Sequence, residues 1–166
     1  ANDKFTGGSM GFGNLQAEGK YSYYVKYVNE VAKMIEDVHM TPMAFNDGIY
    51  FNGNISSGTF DTDIIVCYWS NGWSGYSPMP ASDLAAKGFK LINTNGSYYW
   101  VLGKPDAQCD AAKAGGFDKT AFPGSTVSNP VGSMFCIWAD YPGAETEASV
   151  ISKTADTIAA FGKALP

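Results

Sequence analysis

The chain is 166 residues long and carries 16 acidic residues against 11 basic ones, every base a lysine, for a net charge of −5. That length suits one domain with a sizeable core, and the acidic balance argues against nucleic acid or an anionic membrane as main partner, because both reward basic patches. No run approaches the roughly 18 apolar residues of a membrane span and no signal peptide opens the chain, so it reads as a mature or excised piece of a soluble protein.

Residues 1–19, ANDKFTGGSMGFGNLQAEG, show no apolar periodicity and are expected to form a glycine-rich loop. From Tyr21 the pattern changes. Tyr21, Tyr24, Val25, Val28, Val31, Ala32, Ile35 and Val38 recur every three or four positions, which predicts one face of an α-helix that Pro42 ends. Lys26 with Glu30 and Lys33 with Asp37 supply i,i+4 charge pairs on its other face.

Four short apolar runs follow, and each opens into a polar or aromatic loop. TPMAF (41–45) leads to Asn46 and Asp47, DIIVCYW (63–69) to Ser70, Asn71 and Trp73, FKLIN (89–93) to Tyr98, Tyr99 and Trp100, and GSMFCIW (132–138) to Asp140. Such runs predict strands buried on both faces, as in a parallel sheet. A short helix is expected at 82–88, with Ser82 as its N-cap and Gly88 after its end. Another is expected within 106–116, and a last one over about 144–164, acidic at its start and basic at its end. No helix is expected between the first two strands. Alternating strands and helices predict the α/β class with a parallel sheet.

Parallel α/β folds place their sites at the carboxyl ends of the strands. This chain puts Asn46, Asp47, Trp69, Trp73, Trp138 and Asp140 there, beside the Tyr98–Trp100 cluster, so that all four tryptophans fall at strand ends. Rings beside carboxylates suit a sugar, whose apolar faces stack on aromatics while its hydroxyls bond carboxylates and amides. The plainer reading is that the rings only seal the top of the fold. His39, the single histidine, sits near a helix end where a capping or surface role is expected. Without a second histidine no Ser-His-Asp triad forms, and no standard metal-ligand set is present. Cys67, Cys109 and Cys136 lack CxxC spacing and are expected to be buried free thiols.

In their order along the chain, TPMAFNDGIYF, DIIVCYWSNGW, LINTNGSYYWVLG and MFCIWADYPG resemble the second half of the catalytic domain of glycoside hydrolase family 20. The likeness is greatest to surface exo-β-N-acetylhexosaminidases and lacto-N-biosidases of Gram-positive bacteria, and it runs from about residue 20 to 145. The resemblance implies strands 5–8 of a (β/α)₈ TIM barrel. It implies retaining hydrolysis of terminal β-linked N-acetylhexosamine, in which the substrate's own acetamido oxygen is the nucleophile, an exception to two-carboxylate retaining chemistry. In that family an adjacent Asp-Glu pair after the fourth strand orients the acetamide and serves as acid and base. No Asp-Glu dipeptide occurs in this chain.

Carried across, Tyr99 resembles the tyrosine that bonds the acetamido oxygen as the oxazolinium forms. Trp138 resembles the floor of the acetamido pocket, Asp140 the acceptor of distal hydroxyls, and Trp69 or Trp73 a further wall, with Asn46 and Asp47 beside them. Phe45 stands where many relatives have tryptophan, and Val101 where many have aspartate, which leaves more of the hydroxyl contacts to Asp140. The expectation is one piece, 1–166, whose residues 1–19 follow the missing catalytic pair. It is expected to be inactive alone and to need no cofactor and no metal. Its expected partners are N-acetylhexosamine-terminated glycans and either the missing half of the barrel or another copy of itself. The resemblance also implies a secreted or cell-surface location. A non-catalytic carbohydrate-binding α/β module and an α/β domain whose rings merely pack remain the alternatives.

Overall fold

The computed structural model describes residues 9–165; residues 1–8 of the glycine-rich opening lie outside the described residues. Ser9–Ala17 is helix α1, not loop. Its Phe12 ring lies 4.9 Å from Tyr24 and 5.6 Å from Phe51, and Leu15 packs on the same core. Tertiary packing thus offsets the helix cost of Gly11 and Gly13.

Helix α2 (Tyr21–Glu36) buries Tyr21, Val25 and Ala32. Both predicted charge pairs form, Lys26–Glu30 at 3.7 Å and Lys33–Asp37 at 3.3 Å. The helix stops before Pro42, because His39 turns left-handed (φ 61°) while the Met40 amide donates back to the Ile35 carbonyl at 3.1 Å. Val38 therefore lies past the helical face and is exposed, where the periodicity had placed it in the core.

Strand β1 (Met43–Phe45) runs into single 3₁₀ turns at Asn46–Gly48 and Phe51–Gly53, and no α-helix intervenes before β2 (Ile65–Tyr68). Helix α3 (Ala81–Ala86) starts one residue early with Pro80 at the cap, so Ser82 is not the N-cap; Gly88, at φ 97°, closes it as expected. After β3 (Leu91–Asn93) and β4 (Trp100–Val101), α4 covers only Ala111–Ala114, capped by the Asp110 carboxylate. The residues before it form a 3₁₀ turn at Pro105–Ala107. A hairpin of β5 (Ala121–Phe122) and β6 (Ser125–Thr126) leads to β7 (Gly132–Ser133), β8 (Ile137–Trp138) and α5 (Glu147–Lys163). Helix α5 has Thr146 as cap, Glu147 in its first turn and Lys163 in its last.

The sheet order β1-β2-β3-β7 is parallel throughout, with Phe45 level with Cys67 and Cys67 level with Ile92. The predicted strand 132–138 is in fact two. Its first part pairs with β3, and its second part pairs in parallel with β4, matching Trp100 to Ile137 and Val101 to Trp138. The last run thus changes neighbours midway, and the result is an open arc of parallel strands, not a closed barrel.

β2 and β3 are largely buried, as predicted, but β1 is not. Met43 and Phe45, which share one face of β1 by the strand's alternation, are exposed, and β1 is paired on one side only among the described residues. The main core lies between the arc and α2–α3, around Tyr21, Val66, Tyr68, Leu84 and Leu91. A smaller one joins Phe117, Cys109 and Ala114 to Phe161 of α5.

Candidate functional site

The carboxyl ends of the strands are fastened to one another by side-chain amides. Asn46, fully buried after β1, accepts from the Trp69 amide through Oδ1 and donates from Nδ2 to the Ser70 carbonyl, both at 2.9 Å. The next residue acts outward: Asp47 Oδ2 accepts from the Trp69 indole Nε1 at 2.8 Å. One dipeptide thus fixes both the backbone and the ring of Trp69. The Trp69 carbonyl in turn accepts from the Gly96 amide at 2.7 Å, which draws in the loop after β3. A Cβ on Gly96 would stand 2.8 Å from the Tyr99 hydroxyl, so glycine is needed for the tyrosine ring to fold back over that loop.

The rings meet around a cleft of about 410 Å³. Tyr99 lies 6.0 Å from Trp69 at 45° and 6.5 Å from Trp138 at 80°, while Trp138 lies 5.5 Å from Phe45. Asp47 and Asp140 supply carboxylates to its lining, and Lys104 reaches in from the turn after β4. Lys104 Nζ sits 3.3 Å from Asp140 Oδ2 and 5.7 Å from the centre of the Tyr141 ring. The size falls within the range of small-molecule pockets, and apolar walls with few polar groups offer stacking and directed hydrogen bonds together.

Burial raises the Asp47 carboxyl above the usual carboxylate range, opposed by the Trp69 indole and by its own backbone amide. Burial likewise raises the Tyr99 phenol, helped by Cys136, Asp47 and Asp140. At neutral pH, Tyr99 therefore keeps its proton.

Of the seven residues expected to form the site, Asp47, Trp69, Tyr99, Trp138 and Asp140 line the cleft. Asn46 lies behind it as the fastener described above. Of the two tryptophans left open by the sequence, Trp69 faces the cleft. Trp73 leans on Trp69 at 5.7 Å and on Tyr76 at 4.6 Å, outside the lining and half exposed. Two other strand-end rings belong to packing: Trp100 is buried in β4, and Tyr98 meets Phe117 edge-on at 5.1 Å. Lys104 was missed, although the Gly103-Lys104-Pro105 turn directly after the aromatic cluster is the signal that could have found it.

The three thiols are free; Cys67 and Cys109 are buried and Cys136 partly so. Burial, with Cys136 nearby, pushes the Cys67 thiol up to about 11, and burial raises the other two. Among the described residues, one trio of carboxylates, Glu36, Asp61 and Asp63, brings an oxygen from each within 4.8 Å. It lies at the opposite, amino-terminal end of the strands. Among the described residues no helix is long and apolar enough to cross a membrane.

No protein-family model matches the chain. Solved structures do. Two structures of the pneumococcal exo-β-D-N-acetylglucosaminidase StrH, one of them described by its tandem GH20 catalytic modules, match at 33% and 34% identity with a TM-score of 0.81 in each case. The match covers 93% of this chain and 39% of each of those. Dispersin B matches at 19% identity and a TM-score of 0.67 over 85% of this chain and 47% of its own. A β-N-acetylhexosaminidase from Bacteroides fragilis NCTC 9343 matches at 16% identity and 0.59 over 92% and 32%. The last two speak for the fold alone. With a third of its residues shared with StrH over nearly its whole length, and a fold that matches it, this chain belongs to glycoside hydrolase family 20 and spans 39% of the length of the StrH chains it matches.

Proposed function

We propose that this chain forms strands 5–8 of a family 20 barrel and supplies part of the pocket of a retaining exo-β-N-acetylhexosaminidase. The observation that carries this is the cleft in which Tyr99 stands between Trp69 and Trp138, with Asp47 and Asp140 beside it. In this reading Trp138 stacks on the substrate's acetamido group. The Tyr99 hydroxyl donates to the acetamido oxygen, which is itself the nucleophile at the anomeric carbon. As that oxygen attacks, the glycosidic bond breaks and an oxazolinium forms; the Tyr99 donor orients the oxygen for closure. Asp140 accepts from distal hydroxyls of the terminal sugar, while Trp69, braced by Asp47 and backed by Trp73, walls the pocket.

The acid that protonates the leaving oxygen, and then activates water as base, is the Glu of an Asp-Glu pair. The 166 residues hold no such dipeptide, so the pair comes from residues outside them, ahead of 1–19 in the barrel. These residues alone are therefore inactive. Their natural neighbour is the preceding half of the barrel, or failing that another copy, covering the exposed Met43 and Phe45 of β1. The substrate is a glycan ending in β-linked N-acetylhexosamine, in keeping with the exo-β-D-N-acetylglucosaminidase that StrH is, and the enzyme works secreted or at a bacterial cell surface.

The test is hydrolysis of a chromogenic β-N-acetylglucosaminide by this chain alone and then mixed with a separately made preceding half. Silence alone and turnover on mixing is the expected result; turnover by the chain alone would overturn the assignment of the acid/base to residues outside it. Silence in both, with binding of free N-acetylglucosamine by this chain, would favour the non-catalytic sugar-binding module instead.

A further inference from the structure

Val101 lines the cleft but can neither donate nor accept through its side chain, and Asp140 can only accept. Sugar hydroxyls come in neighbouring pairs, and a pair is best read by one acceptor and one donor side by side. Lys104 is the only cation among the described residues that line the cleft, and its ammonium stands 3.3 Å from the Asp140 carboxylate. Three features hold it there. The Lys104 amide donates to the Val101 carbonyl at 3.1 Å, closing the turn, and the Leu102 amide donates to the Trp138 carbonyl at 2.9 Å, binding that turn to β8. Gly103 adopts φ 79°, and a Cβ on it would meet Tyr141 Cβ at 2.7 Å, so the turn lies flush against the loop that carries Asp140. The Tyr141 ring then supports the ammonium from below at 5.7 Å.

The pair is half exposed on both sides, at 43% and 46% of side-chain area, and a pair so exposed contributes little to folding. Its position fits recognition better than stability. We infer that Lys104 is a specificity-determining residue: with Asp140 it forms a donor–acceptor couple that reads two adjacent hydroxyls of the terminal sugar, in the place that Val101 leaves without a polar group. This rests on the sugar-pocket reading above. An ammonium spends one of its three protons on Asp140 and keeps others for a hydroxyl oxygen. The second oxygen of Asp140 accepts the proton of the neighbouring hydroxyl.

The experiment is titration of the ¹⁵N-labelled chain, mixed with the separately made preceding half, with N-acetylglucosamine and with its 3-deoxy and 4-deoxy analogues, followed by NMR, for the wild type and for Lys104→Met and Lys104→Arg. One deoxy analogue is expected to bind the wild type about tenfold more weakly than the parent sugar, the worth of one charge-assisted hydrogen bond. In Lys104→Met that difference should collapse, and Lys104→Arg should restore most of it. If Lys104→Met weakens all three sugars equally or not at all, the inference fails while the sugar-pocket reading stands. If the wild type binds none of the three, the pocket reading itself fails and takes the inference with it.

Discussion

Removing the Asn46 side chain should cost the chain a large share of its stability and loosen the cleft at once. Asn46→Ala deletes an acceptor for the Trp69 amide and a donor to the Ser70 carbonyl, both at 2.9 Å from a side chain with no solvent exposure. The Trp69 amide and Ser70 carbonyl belong to half-buried residues, so leaving each unpaired costs about 1–2 kcal/mol and the two together about 2–4 kcal/mol, against a total of about 5–15 kcal/mol for a typical domain. With a urea dependence of about 2 kcal/mol per molar, the unfolding midpoint should fall by about 1–2 M. The Trp69 indole N–H resonance should move in the same variant, because its bond to Asp47 depends on the backbone Asn46 holds. Asn46→Asp is the informative companion. It keeps the acceptor but places a charge in a buried site, whose native pKa burial would raise. Such a group favours the fold below its ordinary pKa and loses that contribution as pH rises through the raised value. Its deficit should therefore be large at pH 7 and shrink on acidification, when the protonated carboxyl can again donate to Ser70. A midpoint for Asn46→Ala within about 0.3 M of wild type would refute the reasoning, since the fastening bonds would then be worth nothing.

Tyr21→Phe should lower stability by about 1–3 kcal/mol in the same assay, because the buried Tyr21 hydroxyl donates to the Gly48 carbonyl and accepts from the Phe51 amide at 2.9 Å, pinning the turns after β1; an unchanged midpoint would mean water replaces it. Asp47→Asn should raise the melting temperature at pH 7, since burial opposes the Asp47 charge while an amide oxygen can still accept from Trp69. That gain should vanish as pH falls through the raised native pKa of Asp47, where the wild type protonates; a variant less stable at pH 7 would show that the charge strengthens the indole bond by more than its burial costs. In native chain at pH 8 the thiols should react slowly with Ellman's reagent, Cys136 first, because a Cys67 pKa of about 11 leaves about one thiolate in a thousand. Denaturant should release all three, and fast native reaction at Cys67 would contradict its burial.

Helix α2 could be read from the chain because its apolar stripe and its two charge pairs share one period, and the strand ends could be read because apolar runs stop abruptly at Asp47, Trp69 and Asp140. What escaped reading depends on contacts between distant residues. Helix α1 carries two glycines and only a partial stripe; Phe12 and Leu15 make it a helix by packing on Tyr24 and Phe51. GSMFCIW reads as one run, and the switch from β3 after Ser133 to β4 at Ile137 is set by pairing with distant strands, which no local pattern encodes. Lys104 meets Asp140 across 36 positions, a pairing that no local period encodes. The choice between Trp69 and Trp73 depended likewise on Asp47, which holds one indole and not the other.

The ring contacts also explain how an open arc can carry a defined cleft. β1 and β2 belong to one parallel sheet, while β4 and β8 form a separate pair, and no ladder joins β1 to β8 among the described residues. Phe45 and Trp138 nonetheless meet at 5.5 Å, and Trp69 and Tyr99 at 6.0 Å, so side chains span the gaps where backbone pairing is missing. Aromatic pairs of this kind contribute about 0.5–1.5 kcal/mol each beyond the area they bury. The rings that would hold a sugar are thus also the ones that draw the strand ends together. This is why the packing and sugar-binding readings of these residues predict the same sequence pattern and differ only in titration, where a ligand must compete for faces the rings already use.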